Sequence, residues 1–323
     1  MILTLTPNPS IDRTVALAGP LERGEVQRVT SVVSQGGGKG INISRASVSA
    51  GIPSVAVLPA DKDDPFVHEL LSAGIDARTS RPAGEIRVNL AITEPDGTTT
   101  KLNSPGAMMD AEHLDDMSRT LLHRAASVDW VVLAGSLPPG APDDYYARLV
   151  RDLHGVLEAG SGGKVAVDTS EGPLRALVDA LPGSAPDLMK PNGEELASFT
   201  GGDPDELEND PRAAAAAART LVDRGVGAVL ATLGGKGAVL VTREGAWHAT
   251  PPPTTVVSTV GAGDSSLFGY VLGDLRRLAP AERLALAVAY GSAAAGLPGT
   301  TIPEPGQVRP DLVVVDPLDS PEG

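Results

Sequence analysis

A chain of 323 residues, 41% apolar but only 3% aromatic, can bury a substantial core of Val, Leu, Ile and Ala in one large α/β domain or two medium ones. Its formal charge of −15, from 26 basic and 41 acidic residues, disfavours a nucleic-acid surface, so an anionic ligand must be drawn by local groups. Without cysteine there is no disulfide, thiol nucleophile or Cys-ligated zinc, and with no basic leader or membrane-length apolar run the expectation is a cytoplasmic protein with no membrane partner.

In chain order, a β-rich run at 2–6 ends in the polar stretch Asn8 to Asp12, where Asp12, after two prolines, reads as loop. Residues 26–33 form a second β-rich piece. Gln35-Gly36-Gly37-Gly38-Lys39-Gly40-Ile41-Asn42 then leads into a helical pattern over 41–50, closed by Gly51 and Pro53, and its small residues and lysine suit a phosphate or sugar hydroxyls. After a strand at 54–58, the segment 86–93 places Ile86, Val88, Leu90 and Ile92 on one face and Arg87 and Asn89 on the other. Pro95-Asp96-Gly97 turns it into 98–103. This hairpin lies outside a βα rhythm and, with 26–33, predicts a small sheet projecting over the main one, its apolar side in need of cover from a second subunit.

Strands at 129–133, 164–167, 187–189 and 226–231 alternate with helices over 143–158, 212–224, 264–278 and 281–295, the pattern of a mainly parallel, doubly wound sheet flanked by helices. Gly234-Gly235-Lys236-Gly237 opens a strand at 238–241. The tail from Pro303 reads as loop, with a last strand at 312–315 and a frayed end after it.

Ligands of open α/β sheets bind beyond the carboxyl ends of the strands, and here those ends carry Asn8 to Asp12, Gly135-Ser136-Leu137-Pro138, Asp168-Thr169-Ser170, Lys190-Pro191-Asn192 and Thr232 to Gly237. The most telling stretch is Gly261-Ala262-Gly263-Asp264, which begins an apolar-periodic helix. Its small residues let backbone N–H groups reach an anion, and a carboxylate among them, which would repel phosphate, suggests a base that takes a proton from a hydroxyl. Glu195, three residues after Asn192, is placed to orient water around a magnesium ion. There is no G-x-G-x-x-G after the first strand, and neither Gly-Lys pair is followed by Ser or Thr, so NAD dehydrogenases and P-loop NTPases lose ground. The five histidines show no metal-ligand spacing.

Taken together these residues resemble the ribokinase-like, PfkB-type sugar kinases over nearly the whole chain. Gly37-Gly38-Lys39-Gly40-Ile41-Asn42 is similar to that family's first motif and Ser258-Thr259-Val260-Gly261-Ala262-Gly263-Asp264-Ser265 to its second. Thr6 to Asp12, Arg87-Val88-Asn89, Gly135 to Pro138 and Lys190 to Glu195 look most like the branch acting on phosphorylated sugars, and the opening together with Lys101 to Gly106 tilts the resemblance to fructose 1-phosphate over tagatose 6-phosphate or fructose 6-phosphate. The resemblance implies one ribokinase-like domain over 1–323 with β-sheet lid segments near 10–35 and 84–104, often paired in a homodimer. It implies Asp264 as base, with an anion hole from Gly261, Ala262 and Gly263, and sugar phosphate bound by Asp12, Gly38, Lys39, Asn42, Arg87 and Ser136. ATP would meet Lys190, Asn192, Thr232, Gly234 and Gly237, with Mg²⁺ held indirectly, through water, by Asn192 and Glu195. Where some relatives reach the partner's nucleotide with a lid lysine, residues 26–33 offer only Arg28. A non-catalytic sensor of nucleotide or sugar phosphate is the rival from another class, opposed by the intact Asp264.

Overall fold

The computed structural model describes residues 1–318. The chain runs from β1 (Ile2–Leu5) through β2 (Ser10–Leu17) and β3 (Val29–Gly37) to α1 (Lys39–Ser49), β4 (Ser54–Pro59), α2 (Pro65–Ser72) and β5 (Asp76–Ser80). The hairpin β6 (Arg87–Thr93) and β7 (Thr99–Asn103) precedes α3 (Ala111–Ala125), β8 (Trp130–Ala134), α4 (Tyr145–Ala159), β9 (Lys164–Asp168) and α5 (Glu171–Asp179). Then come β10 (Leu188–Met189), α6 (Gly193–Thr200), α7 (Pro204–Asn209), α8 (Pro211–Asp223), β11 (Ala228–Thr232), β12 (Ala238–Thr242) and β13 (Gly245–Thr250). The last elements are α9 (Ala262–Leu275), α10 (Pro280–Ala295) and β14 (Val314–Pro317).

Ten strands form one sheet in the order β14-β13-β12-β11-β10-β9-β8-β1-β4-β5. Every pairing from β11 to β5 is parallel, and β12, β13 and β14 extend that edge antiparallel. The strand order reverses at β1, which pairs with β4 on one side and β8 on the other, so the crevice beyond its carboxyl end is where such a sheet binds ligands. Buried side chains pack on both faces: Leu3, Val131, Val165 and Val229 point to the layer holding α3, α4 and α8, while Ile2, Val132, Ala166 and Leu230 meet α9 and α10. Helix α9 is apolar nearly all round because α1 and α10 both cover it, and Phe268 meets Tyr290 edge-on with ring centroids 5.1 Å apart.

A second sheet of four strands, in the order β3-β2-β6-β7, stands apart from the first. Asp12 lies in a strand and not in the expected loop: Ser10–Leu17 is extended because β6 alongside it and β3 on its other edge satisfy its backbone. The piece expected at 26–33 lies at Val29–Gly37, so Gly36 and Gly37 complete a strand before the helix begins. The final strand falls at Val314–Pro317, Leu312 ending a short 3₁₀ turn instead, and residues 319–323 of the expected frayed end lie outside the described residues. Helices α2 and α3, not singled out from sequence, begin at Asp64 and Asp110, whose side chains accept the N–H groups of Phe66 and His113. Among the described residues no helix is long and apolar enough to cross a membrane.

Candidate active site

The site gathers at the carboxyl ends of β1, β8, β9 and β10 and at the starts of α1 and α9. Gly261 caps α9 with φ of 79°, a left-handed conformation that glycine adopts without strain. No side chain caps this helix, so its first N–H groups keep the orphan state of a helix start. The N–H of Ala262 makes only a long 3.4 Å contact to Thr259 O.

Asp264 stands in that first turn, 7% exposed. Its Oδ2 accepts a 2.8 Å hydrogen bond from Asn42 Nδ2 of α1. Burial, and then the negative charge of Asp168, push the Asp264 carboxyl up to about 6, against the opposing pull of Lys39, the Asn42 bond and Lys190. A carboxyl raised to about 6 is still ionised at neutral pH and is a stronger base than an ordinary carboxylate, which suits it to accept a proton.

Asp168, at the end of β9, has no exposed side-chain surface. Lys39 Nζ donates to its Oδ1 at 2.8 Å, and Lys190 Nζ forms an ion pair with its Oδ2 at 3.2 Å, less well directed as a hydrogen bond. Burial raises the Asp168 carboxyl, but Lys190 and Lys39 outweigh it and hold it below the usual range. For Lys39 burial works to lower the ammonium, and the charges of Asp168 and Asp264 reverse the outcome, leaving it raised. Lys190 also reaches α9, its Nζ lying 3.2 Å from where a Cβ on Gly263 would stand. From sequence Asp168 reads only as part of a polar strand end; its partners lie 129 and 22 positions away along the chain, and no local spacing signals them.

The four-stranded sheet forms another wall. Parallel pairing sets Ser10 beside Arg87 and Asp12 beside Asn89, and the two-residue period brings all four to one face. Ser10 Oγ and Asn89 Nδ2 donate to Asp12 Oδ1 at 2.8 and 3.1 Å, and Oδ2 lies 2.2 Å from where a Cβ on Gly37 would project, so this approach admits only glycine. Arg87 donates to Ser104 O at 2.8 Å and reaches Ser136 Oγ at 3.5 Å. Burial lowers its guanidinium below the usual range, partly offset by Asp12, and no ion pair among the described residues uses it.

Gly38 is the N-cap of α1 with φ of 116°, and a Cβ there would stand 2.6 Å from Thr6 Cγ2, so the link between this wall and Lys39 requires glycine. The structure does not bring Lys39 to Arg87: Lys39 turns to Asp168, whereas Arg87 stays with Ser104 and Ser136. Asn42 likewise gives its amide nitrogen to Asp264, and its buried Oδ1 has no partner.

On the other side of α9 a cavity of about 590 Å³ is lined by Asn192, Thr232, Gly234, Gly237, Ala262 and Gly263, with Val256 and Val288 among its apolar surfaces. Lys190 is not in its wall but stands beside Gly263 at its edge. Asn192 and Glu195 form a capping box for α6: Asn192 Oδ1 accepts the Glu195 N–H at 2.7 Å, and Glu195 Oε2 accepts the Asn192 N–H at 3.0 Å. Burial raises the Glu195 carboxyl despite that hydrogen bond. Among the described residues no group of three or more His, Cys, Asp or Glu side chains is arranged to hold a metal ion unaided. The capping box uses Glu195 Oε2 and leaves Oε1 outside it, one carboxylate oxygen of the kind that binds a cation's water.

A model of the pfkB family of carbohydrate kinases matches residues 5–307. The chain is 35% identical to the 1-phosphofructokinase of Xanthomonas campestris pv. campestris over 291 residues, covering 88% of each protein. It is also 35% identical to the 1-phosphofructokinase of Rhodobacter capsulatus over 308 residues, 94% of this chain and 93% of that one. Among solved structures, phosphofructokinase-2 from Escherichia coli in complex with substrates and products superposes with a TM-score of 0.85 at 27% identity, over 95% of this chain and 97% of the other.

Proposed function

The chain belongs to the pfkB family of carbohydrate kinases and is an ATP-dependent sugar kinase, and within that family we propose that its acceptor is fructose 1-phosphate, converted to fructose 1,6-bisphosphate. The observation carrying this reading is the buried, proton-ready Asp264 in the uncapped first turn of α9, with two lysines at hand and the Arg87–Ser136 pair across the cleft. Across their lengths, the similar chains named above as 1-phosphofructokinases favour fructose 1-phosphate over its isomers.

In this reading Arg87 and Ser136 grip the phosphate already on the sugar, and Asp12 holds hydroxyls through its free oxygen. The 6-hydroxyl lies against Asp264, which accepts its proton as the oxygen attacks the γ-phosphorus of ATP. The bond from that phosphorus to the β,γ-bridging oxygen breaks and ADP leaves. Phosphoryl transfer is chiefly positioning and charge neutralisation, which the N–H groups of Gly261, Ala262 and Gly263 with Lys39 and Lys190 provide. Asn192, Thr232, Gly234 and Gly237 line the nucleotide cavity, and Asn192 and Glu195 would hold Mg²⁺ through water. That ion would neutralise phosphate charge. The pairing of ATP with a sugar phosphate supports a cytoplasmic location for the enzyme.

We further propose a homodimer through the four-stranded sheet, on the ground that Val29, Val32 and Val33 of its edge strand are 48%, 53% and 63% exposed. Light scattering of the purified protein at dimer mass, moved to monomer mass by Val33→Lys, is the expected result. For the substrate, ADP release is measured with fructose 1-phosphate, tagatose 6-phosphate and fructose 6-phosphate. A kcat/KM at least about tenfold higher for fructose 1-phosphate, or roughly 1.4 kcal/mol of discrimination, is expected. Preference for either rival sugar reassigns the acceptor.

A further inference from the structure

One carboxylate in this site needs no substrate to explain its contacts. Asp168 divides its two oxygens between Lys39 and Lys190, at 2.8 and 3.2 Å, with no side-chain surface exposed. Those lysines arrive on different elements: Lys39 opens α1 after the glycine-rich strand end, and Lys190 follows β10 and lies beside Gly263. The backbone under Asp168 is itself tied down. Gly135 N–H donates to Asp168 O at 2.9 Å, and the Thr169 and Tyr146 hydroxyls both donate to Gly135 O, at 3.1 and 3.0 Å.

A lysine is a compact charge on a flexible four-carbon stem, and left alone it follows whichever anion attracts it. Two polyanions that must come together also repel each other, so two free lysines would travel outward with their ligands. For binding alone a buried carboxylate at this place is a disadvantage, since it opposes both ligands and costs desolvation. Its benefit is geometric. We propose that Asp168 is a positioning residue that fixes the spacing of Lys39 and Lys190, so that acceptor hydroxyl and phosphoryl group meet in line instead of being drawn apart. The inference rests on the kinase reading above, with Lys39 serving the acceptor side and Lys190 the nucleotide side.

A lost anchor of this kind separates binding from turnover. Asp168→Asn keeps the side-chain shape and removes the charge. By titration calorimetry the dissociation constants for fructose 1-phosphate and for a non-hydrolysable ATP analogue should be unchanged or tighter, while kcat falls about 10²-fold, the cost of roughly 1 Å of misplacement. A kcat within threefold of the parent overturns the proposal, and so does weakened binding of either ligand, which marks a scaffold or metal-contact role. Lys39→Met supplies a second test that survives poor folding of the single variant, because the pair Asp168→Asn/Lys39→Met removes one charge of each sign. Adding Asp168→Asn to Lys39→Met should lower kcat by less than about threefold, and a further 10²-fold loss there refutes the anchoring of Lys39. The parent enzyme is assayed alongside on the three sugar phosphates. A parent inactive on all of them refutes the kinase assignment itself, whereas an active parent with an unimpaired Asp168→Asn variant refutes only the positioning role.

Discussion

Asp264 belongs to a helix in which every residue from 264 to 273 is buried, held between α1 and α10, whereas Arg87 opens a strand of 7 residues, none of them fully buried. The first region is locked by Asn42, Asp168 and two lysines; the second rests on one layer of strands whose edge exposes Val29, Val32 and Val33. Groups that must hold a proton and a phosphoryl oxygen within a few tenths of an ångström gain from a scaffold that cannot shift. Groups that recognise a ligand and then enclose it gain from a thin element with little buried surface, because such elements open at low cost. The contrast predicts that damage to the first region appears in turnover and damage to the second in affinity.

The largest effect is expected from Asp264→Asn. It keeps the Asn42 contact within reach and removes the proton acceptor, so kcat should drop on the order of 10³-fold or more, with calorimetric binding of both substrates retained, given that a general base contributes ~10²–10⁴. Near-normal turnover in stopped-flow assays would remove Asp264 from the chemistry. Smaller, and of the other kind, is Arg87→Ala. Loss of a charged hydrogen-bonding grip should raise KM for the sugar phosphate roughly 10- to 100-fold and leave KM for ATP within about twofold. A fall in kcat with no change in KM would break the division between the two walls.

The pH dependence sharpens the comparison further. With its carboxyl pushed up to about 6 in the free enzyme, Asp264 must be ionised to accept a proton, so kcat/KM should fall as pH drops through about 6 and stay level above it. The limb should persist in Arg87→Ala and vanish from the residual activity of Asp264→Asn. If it survives in the latter, the titrating group is elsewhere, in the ligand phosphates or in Glu195.

What the sequence made legible differs between the two walls for physical reasons. The glycines before Lys39 and Asp264 announce themselves because their backbones must approach other atoms: Gly38 and Gly261 take positive φ, and Gly37 leaves space for Asp12. The alternation of Arg87 and Asn89 also survives into β6, since a two-residue period needs no tertiary partner to be read. Strand β2 was hidden by Pro7 and Pro9, and only its pairing with β3 and β6 carries Asp12 out of a loop. Caps at Asp64 and Asp110 were readable, with Pro65 in the first turn of α2, but short helices without a long apolar period give weak signals. Asp168 was beyond reach, because a buried carboxylate is defined by the cations it meets, and these come from the start of α1, 129 positions earlier, and from the end of the neighbouring strand β10.

The smallest effect tests the rigid wall through its own cost. A carboxyl at about 6 in the folded protein against an ordinary 3.8 binds its proton more tightly folded than unfolded. The stability this contributes is complete below about pH 4 and is lost as pH rises toward 6, and above that the ionised buried group leaves the fold weaker by on the order of 2–3 kcal/mol. Asp264→Asn carries no such charge, so at pH 7.5 it should unfold at higher urea than the parent, with the difference shrinking as pH falls toward 4. An exposed position away from both walls offers the contrast: Leu71→Gln, where Leu71 of α2 is 49% exposed, should change the stability by no more than ~0.5 kcal/mol at either pH. If Asp264→Asn instead proves less stable than the parent at pH 7.5, the hydrogen bond to Asn42 and the attraction of the lysines outweigh desolvation. The carboxylate would then be a keystone of the wall it was taken to strain.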